Sequence, residues 1–85
     1  MANEKYISTI TVVGAGTMGH GIAEAAVVGG FNTVLNDVSE DLLEAAQQRI
    51  RHELFKAIEI GRLTTEGMDA ALGRLTLETK LDRAA

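Results

Sequence analysis

Residues 12–21 read VVGAGTMGHG, four glycines in ten positions directly after an apolar run. Glycine loses more conformational freedom on folding than any other residue, so such a cluster marks a backbone path or a close approach that side chains would obstruct. Upstream, residues 7–13 (ISTITVV) are rich in β-branched types and have the length of a strand. Downstream from Thr17, the positions Met18, Ile22, Ala25, Ala26 and Gly29 recur at helical spacing, and Gly29-Gly30 supplies a stop signal. The glycines therefore occupy a turn from a strand into a helix of about 13 residues.

Further along, residues 33–37 (TVLND) return to β-type side chains and predict a short second strand. Ser39 stands where an N-cap belongs, with Glu40 and Asp41 in the first turn that the helix dipole favours for anions. Leu42, Leu43, Ala46, Ile50, Leu54, Ala57 and Ile58 then form one apolar stripe until Gly61 ends it, a helix of about 20 residues and ~30 Å. Thr64 or Thr65 caps a third helix through Leu72, with Gly73 as its stop. Residues 74–79 (RLTLET) alternate as a strand does, with Leu75 and Leu77 on one face, and Leu81 to Ala85 add no element. The order β-α-β-α-α-β predicts an α/β fold with a parallel sheet and right-handed crossovers.

Composition narrows the setting. With 85 residues the chain is one domain at most, and a domain of this size buries about 60–65% of its unfolded surface. The 46% hydrophobic and 24% charged content is that of a globular chain. Without cysteine there are no disulfides and no thiolate metal site, and no metal ligand set is assigned. A net charge of -4 argues against nucleic acid or an anionic membrane surface as partner. The most apolar stretch, residues 22–35, is interrupted by Glu24, Gly29, Gly30 and Asn32 and falls short of the roughly 20 residues of a membrane span. The opening MANEKYIST lacks the apolar core of a secretory leader, so the expected setting is the cytoplasm.

The glycines now acquire roles. Gly14-x-Gly16-x-x-Gly19 follows a predicted strand and opens a predicted helix, and Asp37 lies 18 residues beyond Gly19 at the end of the next strand. That combination is the dinucleotide-binding fingerprint in its required context. Gly14 permits the tight turn, Gly16 removes the Cβ that would hold a pyrophosphate away, and Gly19 lets helix and strand pack closely, with Gly21 and Ala25 extending the small face. The helix N-terminus then meets the pyrophosphate. Asp37 can accept hydrogen bonds from the adenosine ribose and would repel a 2′-phosphate, which favours NAD over NADP. The expected cofactor-binding set is Gly14, Ala15, Gly16, Thr17, Met18, Gly19 and Asp37. Helix packing at a tight turn would explain the glycines alone, but not their coincidence with strand, helix and acid.

The run GAGTMGHGIA at 14–23 resembles the start of the NAD-dependent L-3-hydroxyacyl-CoA dehydrogenases, a family that includes bacterial 3-hydroxybutyryl-CoA dehydrogenases. The match continues through VLNDVSE at 34–40, Arg49-Ile50, GRLT at 61–64 and RLTLET at 74–79. It implies that residues 1–85 form the first half of a Rossmann-type dinucleotide-binding domain with NAD as cofactor. It also implies that the catalytic His-Glu pair, the second half of the fold and a helical substrate domain lie beyond residue 85. No catalytic residue is assigned here, the chain alone is expected to be inactive, and an acyl-CoA substrate is expected only in a full-length context. His20 reads as a bystander near the cofactor, and His52 falls off the apolar stripe and reads as solvated. In the family the outer face of the long helix approaches acyl-CoA through a small polar residue before a leucine and a lysine near the helix end. Here Glu53 precedes Leu54 and Ile60 precedes Gly61, so Arg49, Lys56 and Arg62 read as a solvated charged face.

Three functions fit these residues: the ADP-binding segment of such a dehydrogenase, an accessory nucleotide-binding module, or a self-associating structural half-domain. In the last, the first strand would be an exposed edge inviting another chain. A two-fold axis parallel to the strands would give a homodimer with sheet order 3-2-1-1′-2′-3′.

Overall fold

The computed structural model describes residues 9–80. Three parallel strands, β1 (Thr9–Val13), β2 (Asn32–Asn36) and β3 (Leu75–Glu78), lie side by side in the order β1-β2-β3. Between them run α1 (Thr17–Val28), α2 (Glu40–Glu59) and α3 (Thr65–Gly73), giving the expected β-α-β-α-α-β half of a Rossmann fold. The register aligns Val12 with Leu35 and Leu35 with Leu77, so one apolar row crosses the whole sheet. Residues 7 and 8 of the expected first strand, and Leu81 to Ala85, lie outside the described residues. None of the described helices is long and apolar enough to cross a membrane.

The helix boundaries follow from capping chemistry. Ser39 Oγ accepts the Leu42 N–H at 3.2 Å, and Glu40 and Asp41 occupy the first turn of α2. Thr64, not Thr65, caps α3, its Oγ1 accepting the Gly67 N–H at 2.9 Å. Gly61, at φ +79°, supplies the left-handed residue that ends α2. Three elements differ in their bounds from expectation, among them β3, which spans Leu75–Glu78 and leaves out Arg74 and Thr79. β2 spans Asn32–Asn36, one residue early, which leaves Asp37 just past the strand end. Gly73 is still helical and Arg74 is the C-cap of α3, its backbone N–H donating to the Ala71 carbonyl at 3.0 Å, while its guanidinium reaches back to donate to the Val27 carbonyl at 2.8 Å. A cation there also answers the negative end of α1.

The core is built by Leu35, Val27, Ile50 and Leu54, all essentially without solvent exposure, with Val12, Ala23, Leu43 and Ala46 around them. The α2 stripe is as expected at Leu43, Ala46, Ile50 and Leu54, whereas Leu42 is half exposed. Of the expected α1 stripe only Ala26 is buried, and Gly29 is exposed with the rest. Met18 (79% exposed), Ile22 and Ala25 face outward, and Gly19, Ala23, Ala26 and Val27 are buried. α1 is apolar almost all the way round (TMGHGIAEAAVV), so period alone does not select a face. Packing selects it: the smallest side chains turn inward where the helix lies closest to the strand turn. Gly21, with open space beside it, and Ala25 are exposed and do not extend the small face.

Candidate dinucleotide site

The turn between β1 and α1 is shaped by two glycines with different duties. Gly14 has φ +99°, a left-handed conformation that a side chain resists, and its N–H donates to the Asn36 carbonyl at 2.7 Å before the chain leaves the sheet. Gly19 touches this turn from the helix: a Cβ there would run into the Gly14 carbonyl oxygen and stand 2.8 Å from its carbon. Gly16, the N-cap residue of α1, has nothing within 4 Å of the position its Cβ would take. The backbone at Gly16 is therefore open to an approaching group. His20 N–H donates to the Gly16 carbonyl at 3.1 Å and closes the first helical turn. The N–H groups ahead of it have no intrahelical partner, and the first turn of α1 itself holds no acidic residue, so the positive helix end is open to an anion. Thr17 and Met18 are the first helical residues, and Met18 stands exposed on the rim.

Asp37 joins the turn from β2. Its Oδ2 accepts the Ala15 N–H at 2.9 Å and its Oδ1 accepts the Ser39 N–H at 2.9 Å. The Ala15 N–H, then that of Ser39, holds the Asp37 carboxyl below its ordinary range. A carboxylate with a lowered folded-state pKa contributes stability above its unfolded value and loses it as pH falls through the folded one. One side chain thus connects the glycine turn, the end of β2 and the N-cap of α2. The seven expected cofactor residues are brought to one end of the sheet, with the Ala15 N–H already engaged by Asp37.

A cavity of about 150 Å³ lies between this turn and α2, bordered by Gly16, His20 and Arg49. A larger recess of about 340 Å³, between α2 and β3, is lined by Glu40, Glu44 and Glu78, a charge pattern that repels phosphates. The glycine turn is the better anion site on chemistry, despite the smaller volume.

His20, read as a bystander near the cofactor, lies beside the turn at 7% exposure with Nδ1 3.3 Å from the Gly16 carbonyl oxygen and Nε2 3.9 Å from Glu53 Oε2. Glu24 lies against Glu53, and its Oε1 is shielded from solvent without a hydrogen-bond partner among the described residues. His20 and Glu24 stand four residues apart and His20 and Val27 seven apart, the spacing of one helix face, so placing the buried α1 face correctly would have exposed the cluster. His52 is exposed, as its position off the stripe implied.

Residues 9–85 match the family model described as the NAD binding domain of 3-hydroxyacyl-CoA dehydrogenase. The chain is 40% identical over 79 residues to a 3-hydroxybutyryl-CoA dehydrogenase of Bradyrhizobium diazoefficiens, covering 93% of this chain and 27% of that protein. It is 37% identical to a 3-hydroxyadipyl-CoA dehydrogenase of Escherichia coli, covering 93% of this chain and 17% of that one. Among solved structures, an Escherichia coli 3-hydroxybutyryl-CoA dehydrogenase superposes with a TM-score of 0.89 at 37% identity, over 93% of this chain and 17% of the other. A Ralstonia eutropha (S)-3-hydroxybutyryl-CoA dehydrogenase gives 0.87 at 36% identity, over 91% and 27%. The chain thus spans between a sixth and a little over a quarter of the length of these relatives. With the fold, the glycine turn and these likenesses in agreement, the chain belongs to the NAD-binding domain family of the 3-hydroxyacyl-CoA dehydrogenases.

Proposed function

We propose that this chain binds the ADP half of NAD, with the pyrophosphate against the backbone of Gly16, Thr17 and Met18 and the adenosine ribose at Asp37. The observation that carries this reading is the pairing of an open backbone at Gly16 with a helix N-terminus free of acidic residues. Gly14 and Gly19 hold the turn, and Ala15 keeps its amide on the Asp37 carboxylate that faces the ribose. Asp37 selects NAD because a 2′-phosphate would meet a carboxylate. In a longer protein of this family the substrate is an L-3-hydroxyacyl-CoA, oxidised to a 3-ketoacyl-CoA while the bound nicotinamide accepts a hydride. This segment holds the cofactor for that reaction and leaves proton removal to other residues, since the ring of its buried His20 faces Gly16 and Glu53. Cytoplasmic location is part of the same reading.

NAD added to ¹⁵N-labelled chain should shift the amides of residues 15–19 and leave α3 unmoved. Asp37→Ala should weaken binding by about 10-fold or more, the loss of charge-assisted hydrogen bonds worth ~1.5–3 kcal/mol. Shifts scattered over α3, or an Asp37→Ala variant that binds as tightly as the parent, would contradict the placement.

A homodimer is the second part of the reading. β1 is the edge of the sheet, and Val13 and Met18 beside it are 66% and 79% exposed. A second copy pairing β1 to β1 would bury these side chains and extend the parallel sheet. Sedimentation should show a dimer that Val13→Lys dissociates; a folded monomer at high concentration would rule it out.

A further inference from the structure

We propose that Glu24 and Glu53 share a proton across the α1–α2 contact, beside the His20 ring that fastens the glycine turn at Gly16, so that the turn responds to pH. The geometry has three parts. His20 Nδ1 lies 3.3 Å from the Gly16 carbonyl oxygen, and the His20 backbone N–H donates to the same oxygen at 3.1 Å. Across the helix interface, His20 Nε2 lies 3.9 Å from Glu53 Oε2. One turn along α1, Glu24 lies against the same Glu53, with its Oε1 shielded from water and given no donor among the described residues. Two ionised carboxylates offer each other only lone pairs, so this contact becomes a hydrogen bond only when one of them carries a proton.

The surroundings assign that proton to Glu24. Burial first, then the hydrogen bond and charge of Glu53, pushes Glu24 up to about 7. Glu53 is held below its ordinary range, first by the hydrogen bond from Glu24 and then by His20, Arg49 and His52. Glu53 and His52 are themselves exposed, and Arg49 also borders the cavity that Gly16 lines, so α2 draws its charge from the side open to water. β1 and β2, the strands packed beneath α1, carry no titratable side chain within their bounds, Glu78 belongs to β3, Arg74 donates to the Val27 carbonyl, and Glu66 and Asp69 of α3 are exposed. Losing the Glu24 proton sets two carboxylates against each other at the α1–α2 contact, one residue pair away from the histidine that holds Gly16.

The direction of the pH effect follows. Glu24 has a raised pKa in the folded state, so folding takes up a proton and the stability it brings is present at low pH and lost as pH rises from about 4.5 through about 7. Glu53 acts oppositely, its contribution being lost only as pH falls below its ordinary range. Between these limits Glu24 sets the slope. The link concerns the chain without ligand and stands or falls independently of NAD binding.

The test is an NMR titration of the ligand-free chain from pH 4 to 9, following the Glu24 side-chain carboxyl carbon and the backbone amides of Gly16 and His20. The expected result is one shared midpoint near 7 for all three. Glu53→Gln should lower the Glu24 midpoint by at least one pH unit, because it removes the opposing charge and offers a donor. Glu24→Gln, which mimics the protonated acid, should abolish the shared amide movement and keep its melting temperature from pH 5.5 to 8, while the parent loses several degrees. A Glu24 midpoint in the ordinary carboxylate range overturns the proposal, as does a Gly16 amide that stays still while Glu24 titrates. Amide movement that persists in Glu24→Gln overturns the proposal too. If Glu24→Gln does not fold, the parent and Glu53→Gln midpoints decide.

Discussion

Gly19→Ala is expected to unfold the chain. Overpacking a core side chain typically costs about 1–3 kcal/mol because neighbours can shift rotamer. Here the obstacle is the backbone of Gly14, which is held at φ +99° and by its hydrogen bond to the Asn36 carbonyl. Relief requires α1 to lift from the sheet, which uncovers Ala23 and Val27. A domain of this size sits at the lower end of the ~5–15 kcal/mol range of native stabilities, so a cost above ~3 kcal/mol leaves little folded protein. Circular dichroism should show lost helix at 25 °C. Gly16→Ala is the informative contrast: with nothing within 4 Å and φ −72° it should fold within about 0.5 kcal/mol of the parent, yet bind NAD more weakly. The two glycines thus separate packing from ligand approach within one motif.

Leu35→Ala should be the most damaging core truncation. Leu35 sits in the central strand, aligned with Val12 on one side and Leu77 on the other, and has no solvent exposure. Removing a buried leucine side chain costs ~2–5 kcal/mol, the cavity adding to the lost transfer energy. With a urea slope of about 1 kcal/mol per molar, the unfolding midpoint should fall by about 2 M or more. Val38→Ala, three residues away and 89% exposed, should leave it nearly unchanged.

The features legible in the sequence are those written locally. Ser39 and Gly61 announced the ends of α2, the β-branched runs announced β1 and β2, and the spacing from Gly14 to Asp37 announced a glycine turn and an acid that meet at one end of the sheet. What escaped the reading depends on contacts between distant residues. The inward face of α1 is chosen by Gly19 meeting Gly14 and by α2 on the far side, and a helix apolar on most sides carries no periodic mark of that choice. The internal duty of Asp37, holding an amide 22 residues away, is likewise invisible locally. So is the reach of Arg74 to Val27 across 47 residues. The contacts of Glu53 with His20 and with Glu24 are likewise identified only once α1 and α2 are packed.

The central claim is that the glycine turn and Asp37 make an ADP site selective for NAD. It is tested most directly by calorimetric titration of the folded chain with NAD and with NADP, each repeated on Asp37→Asn. The account predicts binding of NAD, at least about 10-fold weaker binding of NADP, and a narrowed gap in the variant, whose neutral side chain no longer repels a 2′-phosphate. A folded chain that binds neither nucleotide, or binds both equally, would contradict it.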